Sequence, residues 1–325
     1  MKKIKSVLAV LVLSIFLIYN TGFSQNNSTY NFLKLDIGAR ASALGGSFNS
    51  ATNDVNSIFY NPAGLSTLTN KQASFGFFKY LLDVNSGNIS FSQRYKDAGY
   101  FGAGIRYINY GSFEKFDEQS VSQGTFGANE LALSLGYSNL YKNNFHYGVN
   151  LKLIYSKIDI YSSAALAADF GVLYVIPASQ WNFGLSVLNA GGQLSKYNST
   201  SEQLPLDVRI GVSKKLEHLP LRVHFEVSNL TEKVEDQENN FKEFLQHFEN
   251  LSVGGEFDFS DNVKFRIGYN NGERQNLETG SSLGIAGFST GFGIKLLDNY
   301  TVDYAFNSLG KIGSMHRIDV ALALK

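Results

Sequence analysis

Phe145-His146-Tyr147-Gly148-Val149-Asn150-Leu151-Lys152-Leu153-Ile154-Tyr155 decides the fold. Phe145, Tyr147, Val149, Leu151, Leu153 and Tyr155 share one parity, and His146, Gly148, Asn150 and Lys152 lie mostly opposite. Successive side chains on a strand point to opposite faces, so this is a strand with one greasy and one polar side. It matches the roughly 9–11 residues of a tilted membrane strand better than the roughly 5–6 of an average soluble one.

The same rhythm runs in both directions along the chain. Leu131, Leu133, Leu135 and Tyr137 alternate with Ala132, Ser134, Gly136 and Ser138. Leu206 to Ser213, Leu221 to Ser228 and Val263 to Asn270 repeat it, and Ile318, Val320, Leu322 and Leu324 share a face of the last strand. Further candidates lie near residues 73–80, 88–95, 100–110, 166–175, 181–189, 251–259, 288–297 and 300–306, which makes about fourteen strands. The polar faces carry both signs of charge: Arg106, Lys152, Asp169, Arg209, Glu226, Glu256, Lys264, Arg266, Asp303 and Asp319. Alternation alone does not say which face is out, since a soluble sandwich alternates with its apolar face inward. But a Lys or Arg facing lipid near the midplane costs about 2–4 kcal/mol. Strand length, Tyr at the ends of the apolar faces and these charges favour a membrane barrel with a polar interior over a soluble one. The expected fold class is all-β, an up-and-down antiparallel transmembrane β-barrel.

Connections alternate in length. Residues 141–144, 177–180, 217–220, 260–262 and 297–299 read as short turns, whereas 111–127, 191–205, 231–250 and 271–283 read as long loops. Outer-membrane barrels keep short turns in the periplasm and long loops outside, which places both mature termini in the periplasm. In the 231–250 loop, Phe241, Phe244, Leu245 and Phe248 recur at helical spacing. They read first as a short helix folded back on the rim and second as a surface for a partner.

Lys2, Lys3 and Lys5 precede an apolar run from Val7 to Ile18, with Gly22 and Ser24 as small residues before Gln25. Residues 1–24 therefore read as a secretory signal peptide, too short for a spanning helix. The chain has 325 residues, zero formal net charge, 26 Phe, 18 Tyr, 31 Gly and no Cys. Charge balance gives no footprint for nucleic acid, and the missing Cys excludes disulfides and Cys-based zinc sites. Residues 25–70 do not alternate. Residues 39–46 are small and read as flexible, Asp54 can cap a short helix that Pro62 and Gly64 stop, and a barrel over 71–325 can enclose the segment as a plug or hatch at its periplasmic mouth.

Ala39-Arg40-Ala41-Ser42-Ala43-Leu44-Gly45-Gly46, then Asp54, then Phe59-Tyr60-Asn61-Pro62-Ala63-Gly64-Leu65 resembles the N-terminal signature of the FadL-like outer-membrane barrels. Within these the chain is similar to the PorV and PorQ proteins of Bacteroidota. The likeness continues through residues 104–111, 124–128, 286–293 and 302–304, and the later segments lean toward PorQ. The resemblance implies fourteen strands with an N-terminal plug whose motif residues are Arg40, Ala41, Gly45, Gly46, Asp54, Asn61, Pro62, Ala63 and Gly64. It implies a non-enzymatic component of the type IX secretion attachment complex in the outer membrane of a Gram-negative bacterium. Such a protein supports cargo export and anchoring through loop contacts with other attachment-complex proteins and with cargo. FadL proper moves hydrophobic molecules, so a transporter for hydrophobic small molecules is the alternative. It calls for an apolar pocket between plug and wall and a wall defect near the third strand.

Two Gly-x-Ser-x-Gly matches, at 280–284 and 287–291, sit in a Gly/Ser-rich loop and a candidate strand, not on the strand–turn–helix a nucleophile elbow requires. The five His residues (146, 218, 224, 247 and 316) show no ligand spacing, and His224 and His316 read as lumen-facing. No cofactor or metal is expected, and outer-membrane lipid is the remaining expected partner.

Overall fold

In the computed structural model the described residues are 30–80, 83–197, 201–231, 247–277, 285–297 and 299–324. The signal-peptide reading at 1–24 and the loop residues Phe241, Phe244 and Leu245 lie outside them.

Fourteen antiparallel strands form a closed barrel. They are β1 Lys71–Lys79, β2 Asn85–Arg94, β3 Tyr100–Phe116, β4 Ser122–Tyr141, β5 Phe145–Ile158, β6 Tyr161–Ile176 and β7 Trp181–Ser195. The ring continues with β8 Asp207–Lys215, β9 Leu221–Val227, β10 Leu251–Asp258, β11 Val263–Asn270, β12 Phe288–Leu296, β13 Tyr300–Ser308 and β14 Ser314–Leu324. Each strand pairs with its sequence neighbours, and β1 pairs with β14 from Lys71↔Leu324 to Lys79↔His316 to close the ring. The order is therefore up-and-down throughout, and no strand edge of the wall is left open along the closed part.

Burial is inverted relative to a soluble protein. Leu135 and Leu151, partners across β4 and β5, are 66 % and 53 % exposed, while Lys152 beside them is 4 % exposed and Asp169 fully buried. The greasy face points out and the ionic face points in, as the alternation predicts. This is the architecture of an outer-membrane barrel. Among the described residues no helix is long and apolar enough to cross a membrane, so strands do the crossing. Leu135→Arg should cost about 2–4 kcal/mol if it lies near the bilayer midplane, read as a lower urea midpoint in liposomes. Ser134→Thr, on the inner face, serves as the control.

Several expectations need correction. Residues 111–127 are not a long loop. β3 and β4 extend into them and leave 117–121 as the turn, after register shifts at Asn109/Ser112 and Glu114/Phe116. The reason is local: Phe113 and Phe126 face each other across the ladder at 5.4 Å between centroids, an aromatic cross-strand pair. Because β2 begins only at Asn85, opposite Asn109, the ribbon rises above the wall beyond that point. β7 likewise consumes the start of the expected 191–205 loop. The 271–283 loop opens with a short helix, α2 (Asn271–Asn276 by its position in the chain), capped by Asn270 Oδ1 accepting from Glu273 N at 2.9 Å. His316 is on the outer face near the loop-end rim, where its ring nitrogen and the Tyr304 hydroxyl lie 2.7 Å apart. His224 is fully buried in the lumen.

Candidate functional site: the plugged lumen

Residues 30–70 run through the barrel. Tyr30 hydrogen-bonds Ser163 in the loop-end half, and Leu68 accepts a bond from the Tyr100 hydroxyl at 3.2 Å at the short-turn end. The segment thus spans the lumen instead of only stoppering its short-turn mouth. Tyr30 lies toward the loop end and Leu324 at the other; the mature N-terminus expected near Gln25 lies outside the described residues.

The run read as flexible, 39–46, contains a helix, α1 (Ala39–Ala43), packed on β12 and β13. Its small side chains allow the close packing: Ala39, Ala43 and Ala305 of β13 form one fully buried cluster. Ala41 belongs to the main plug core with Leu44, Phe48, Ile58 and Leu65. Asp54 accepts from Asn56 N at 2.9 Å and caps a 3₁₀ turn, Val55–Phe59. Pro62 does not merely stop that turn. It begins a second one, Pro62–Thr67, in the position where a missing N–H costs nothing.

Asn61 ties the plug to itself and to the wall. Its Oδ1 accepts from Ala63 N at 3.1 Å, and its Nδ2 donates to Asn49 O and to Val172 O of β6, both at 3.0 Å. Ala63 in turn offers its carbonyl to Ser138 of β4 at 3.1 Å. Gly64 has no room for a side chain, because an added Cβ would stand 2.6 Å from Ser57 Cβ. Asn61→Ala removes a cap worth about 1 kcal/mol and two buried donor bonds at about 1 kcal/mol each. A loss of about 2–4 kcal/mol in urea unfolding is expected, and Asn61→Asp should keep the capping part.

Charge fixes the plug sideways. Arg40 donates to both Glu256 oxygens, at 2.9 and 3.0 Å, and meets Asp54 at 3.3 Å. Glu256 also accepts from Arg266 at 2.7 Å, and Arg266 reaches Asp303. On the next strands Arg209 joins Asp207 and Glu226, and the second Glu226 oxygen accepts from Phe48 N and Asn49 N at 2.7 and 2.8 Å. Lys152 pairs with Asp169 at 2.9 Å. Arg106 donates to the Phe32 and Leu33 carbonyls, and Arg317 to that of Asp36. Buried charges are tolerable only when paired and hydrogen-bonded, and here wall and plug satisfy each other.

Not all of the lumen is polar. Ile108, Ala132, Ile154, Ala165 and Ala167 form an inward apolar patch in the loop-end half, and the plug covers it with Phe32 and Leu33. Near the third strand the wall is bulged but not gapped: β2–β3 pairing runs unbroken from Asn85↔Asn109 to Arg94↔Tyr100. On the opposite side a cavity of about 270 Å³ opens between plug, α2, β8–β11, β13 and β14. There Glu273 is pushed up to about 7 by burial and by Asp36. Phe248, from the candidate partner loop, stands exposed on a 3₁₀ turn, His247–Asn250, next to α2.

What the sequence reading missed is the glycine footprint of the plug. Gly148 and Gly268 lie on inward strand positions where an added Cβ would fall 2.4 Å from Pro62 C and 2.2 Å from Gly45 N. The signal was available, since several polar faces carry a Gly in midstrand, a mark of close backbone approach. Tyr60 was also missed; its hydroxyl accepts from Ile37 N at 2.7 Å and donates to Ile37 O at 2.9 Å. Gly45 and Gly46 hold positive φ of 66° and 81° beside the Tyr269 backbone and the Asp36 carboxylate.

Ser289 of the second Gly-x-Ser-x-Gly match donates to Ala43 O at 3.2 Å from within β12, so no nucleophile elbow exists there. The first match lies outside the described residues. Among the described residues no cluster of three or more His, Cys, Asp or Glu is arranged to hold a metal ion.

No family model and no curated protein matches the chain. Solved structures do. The Pseudomonas putida toluene transporter TodX aligns with a TM-score of 0.57 at 10% identity, over 89% of this chain and 98% of that one. The Ralstonia pickettii toluene transporter TbuX gives 0.56 at 12% identity over 88% and 97%. A Pseudomonas aeruginosa FadL homologue gives 0.55 at 10% over 89% and 98%. At such identities the likeness is one of fold alone, and it extends over 88–89% of this chain.

Proposed function

We propose that the chain is a FadL-like outer-membrane transporter for small hydrophobic molecules, with residues 30–70 as the plug that opens and closes the lumen. The supporting observation is the inward apolar patch of Ile108, Ala132, Ile154, Ala165 and Ala167, occupied by Phe32 and Leu33. A greasy patch inside an otherwise ionic lumen is a place where an apolar solute can replace plug side chains without desolvating charge. Long loops face the outside and the short turns with Leu324 face the periplasm. The transporters named for the structural neighbours, toluene channels among them, point to the same solute class. The barrel itself needs no cofactor and performs no chemistry. The test is uptake of labelled toluene into proteoliposomes. Saturable uptake above empty liposomes supports the reading, and a rate equal to theirs removes it.

A second reading, a type IX secretion component of the PorV/PorQ kind that works with attachment-complex partners and cargo, draws on the β3–β4 ribbon. It stands above the wall with Phe113, Phe116 and Val121 exposed, and β2 gives it no partner beyond Asn109. Such an edge suits a protein partner. The intact third-strand ladder also fits a barrel that does not open sideways. Cargo that stays normally anchored in a deletion strain would remove this reading.

A further inference from the structure

We propose that the 270 Å³ cavity at the loop end is a binding site for small organic amines, ring compounds whose ammonium group is held by Glu273. The inference rests on the transporter reading and names, within its solute class, the members this site selects.

The lining is of two kinds. Leu35, Tyr80, Leu277 and Met315 belong with Phe78 and Leu309 to one apolar cluster. Glu273 enters from α2 and Asp36 from the plug. A ligand must therefore combine an apolar body with a polar head. At about 270 Å³ the cavity lies just below the roughly 300–1,000 Å³ of drug-sized pockets. One ring with a short amine arm fits, and a long acyl chain does not.

The three cations of the lining are committed. Arg209 is held by Asp207 at 2.6 Å and by Glu226 at 3.4 Å. Arg317 donates to the Asp36 carbonyl and lies over Phe78 at 4.0 Å. Lys34 is engaged as well. Of the three carboxylates, Glu226 also accepts two plug backbone N–H groups, and Asp36 has the Tyr60 hydroxyl at 3.3 Å. Glu273 differs. Among the described residues no hydrogen bond or ion pair reaches its carboxylate, and the side chain is only partly buried, so a ligand can meet it. An ammonium group supplies both the missing charge and the missing N–H donors. A hydrocarbon supplies neither, and a carboxylate would be repelled.

The surrounding charges point the same way. Burial and the Asp36 carboxylate push Glu273 up to about 7, and Arg317 offsets less than either. The repulsion from Asp36 thus exceeds the attraction to Arg317, so the field at Glu273 already favours an added cation. Tyr80, which burial and Glu273 hold in its protonated form, adds an aromatic ring to the site. Arg274 and Glu249, on α2 and the adjoining 3₁₀ turn, are exposed to solvent. The sign of the pH dependence follows. Below about 7 Glu273 is protonated and uncharged, so amine affinity is lost as pH falls through that value and gained as it rises. A neutral ligand that accepts a hydrogen bond from the protonated acid would show the reverse.

The test is equilibrium dialysis of labelled benzylamine, benzyl alcohol and benzoate against the full chain in nanodiscs of neutral lipid, at pH 5.5 and pH 8, with empty nanodiscs subtracted. At pH 8 benzylamine should bind saturably, at least tenfold tighter than benzyl alcohol or benzoate and at least tenfold tighter than at pH 5.5. Glu273→Gln should bring benzylamine to the benzyl alcohol level at both pH values. The substitution spares the helix cap, which uses the Glu273 backbone N–H, and the heat-modifiable gel band verifies folding. Equal binding of benzylamine and benzyl alcohol by the wild type, a benzylamine affinity that is flat or rises toward pH 5.5, or a variant that binds benzylamine like the wild type overturns the proposal. Toluene flux into liposomes without benzylamine binding overturns it and leaves the transporter intact. Glu273-dependent benzylamine binding with no flux of any probe supports the site and removes the transporter.

Discussion

Glu256→Leu will release the plug from the wall. Glu256 is the junction of the lumen's ion network: one oxygen accepts from Arg40 at 2.9 Å and Arg266 at 2.7 Å, and the other from Arg40 at 3.0 Å. The Glu256 and Arg266 side chains are 5 % and 2 % exposed, so solvent does not screen the pair. Leucine leaves the Arg40 and Arg266 guanidinium groups with Asp54 and Asp303 as their remaining carboxylate partners. Removing one partner of a buried ionic cluster costs about 3–5 kcal/mol. Arg266 cannot relieve this, because β11 is stitched into the ladder on both sides. Arg40 can, because α1 is joined to the barrel by packing and side-chain bonds alone. The expected outcome is a folded, heat-modifiable barrel whose Arg40 has become open to trypsin, together with new single-channel current in planar bilayers. Glu256→Gln, which keeps an acceptor, should fall between. A Glu256→Leu plug as trypsin-resistant as the wild type would show that packing, not charge, holds it.

The strands and their faces were legible in the sequence because the period of two is a local property, and the bilayer keeps it strict over ten residues. The inward charges were legible for the same reason: Arg106, Lys152, Asp169 and Arg266 sit where alternation puts them. The loop lengths misled. Residues 111–127 are rich in polar and small side chains, yet cross-strand pairing of Phe113 with Phe126 continues the ladder there, a contact between residues thirteen apart that no local pattern displays. The plug's direction was hidden as well. The end at which Tyr30 lies depends on its bond to Ser163, far away in sequence. Of the motif residues, Arg40, Asp54 and Asn61 could be recognised by type, but their partners Glu256 and Val172 could be found only in three dimensions.

Gly268→Ala will displace the plug as thoroughly as any charge change, through volume alone. A Cβ at 268 would stand 2.2 Å from Gly45 N and 2.3 Å from Leu44 C. These are backbone atoms, so no rotamer change can make room. The opposite side is no softer. Gly45 approaches the Tyr269 backbone so closely that its own Cβ would fall 2.8 Å from Tyr269 N, and a Cβ added at Gly254, paired with Gly268, would fall 2.8 Å from Leu44 O. Overpacking of a tight core costs about 1–3 kcal/mol when side chains can adjust, and here the cost must be met by moving residues 44–47 off the wall. The strand will not move, since its ladder bonds are shared with β10 and β12. Hydrogen exchange should therefore quicken across residues 39–50 while β11 amides stay protected. Gly255→Ala is the matched control: on the outer face its Cβ would meet Ile267 Cγ2 at 3.4 Å, an ordinary contact, and exchange should not change. Equal protection of 39–50 in Gly268→Ala and wild type would mean that the plug does not rest on this glycine, and that the close fit read from the backbone is not what positions it.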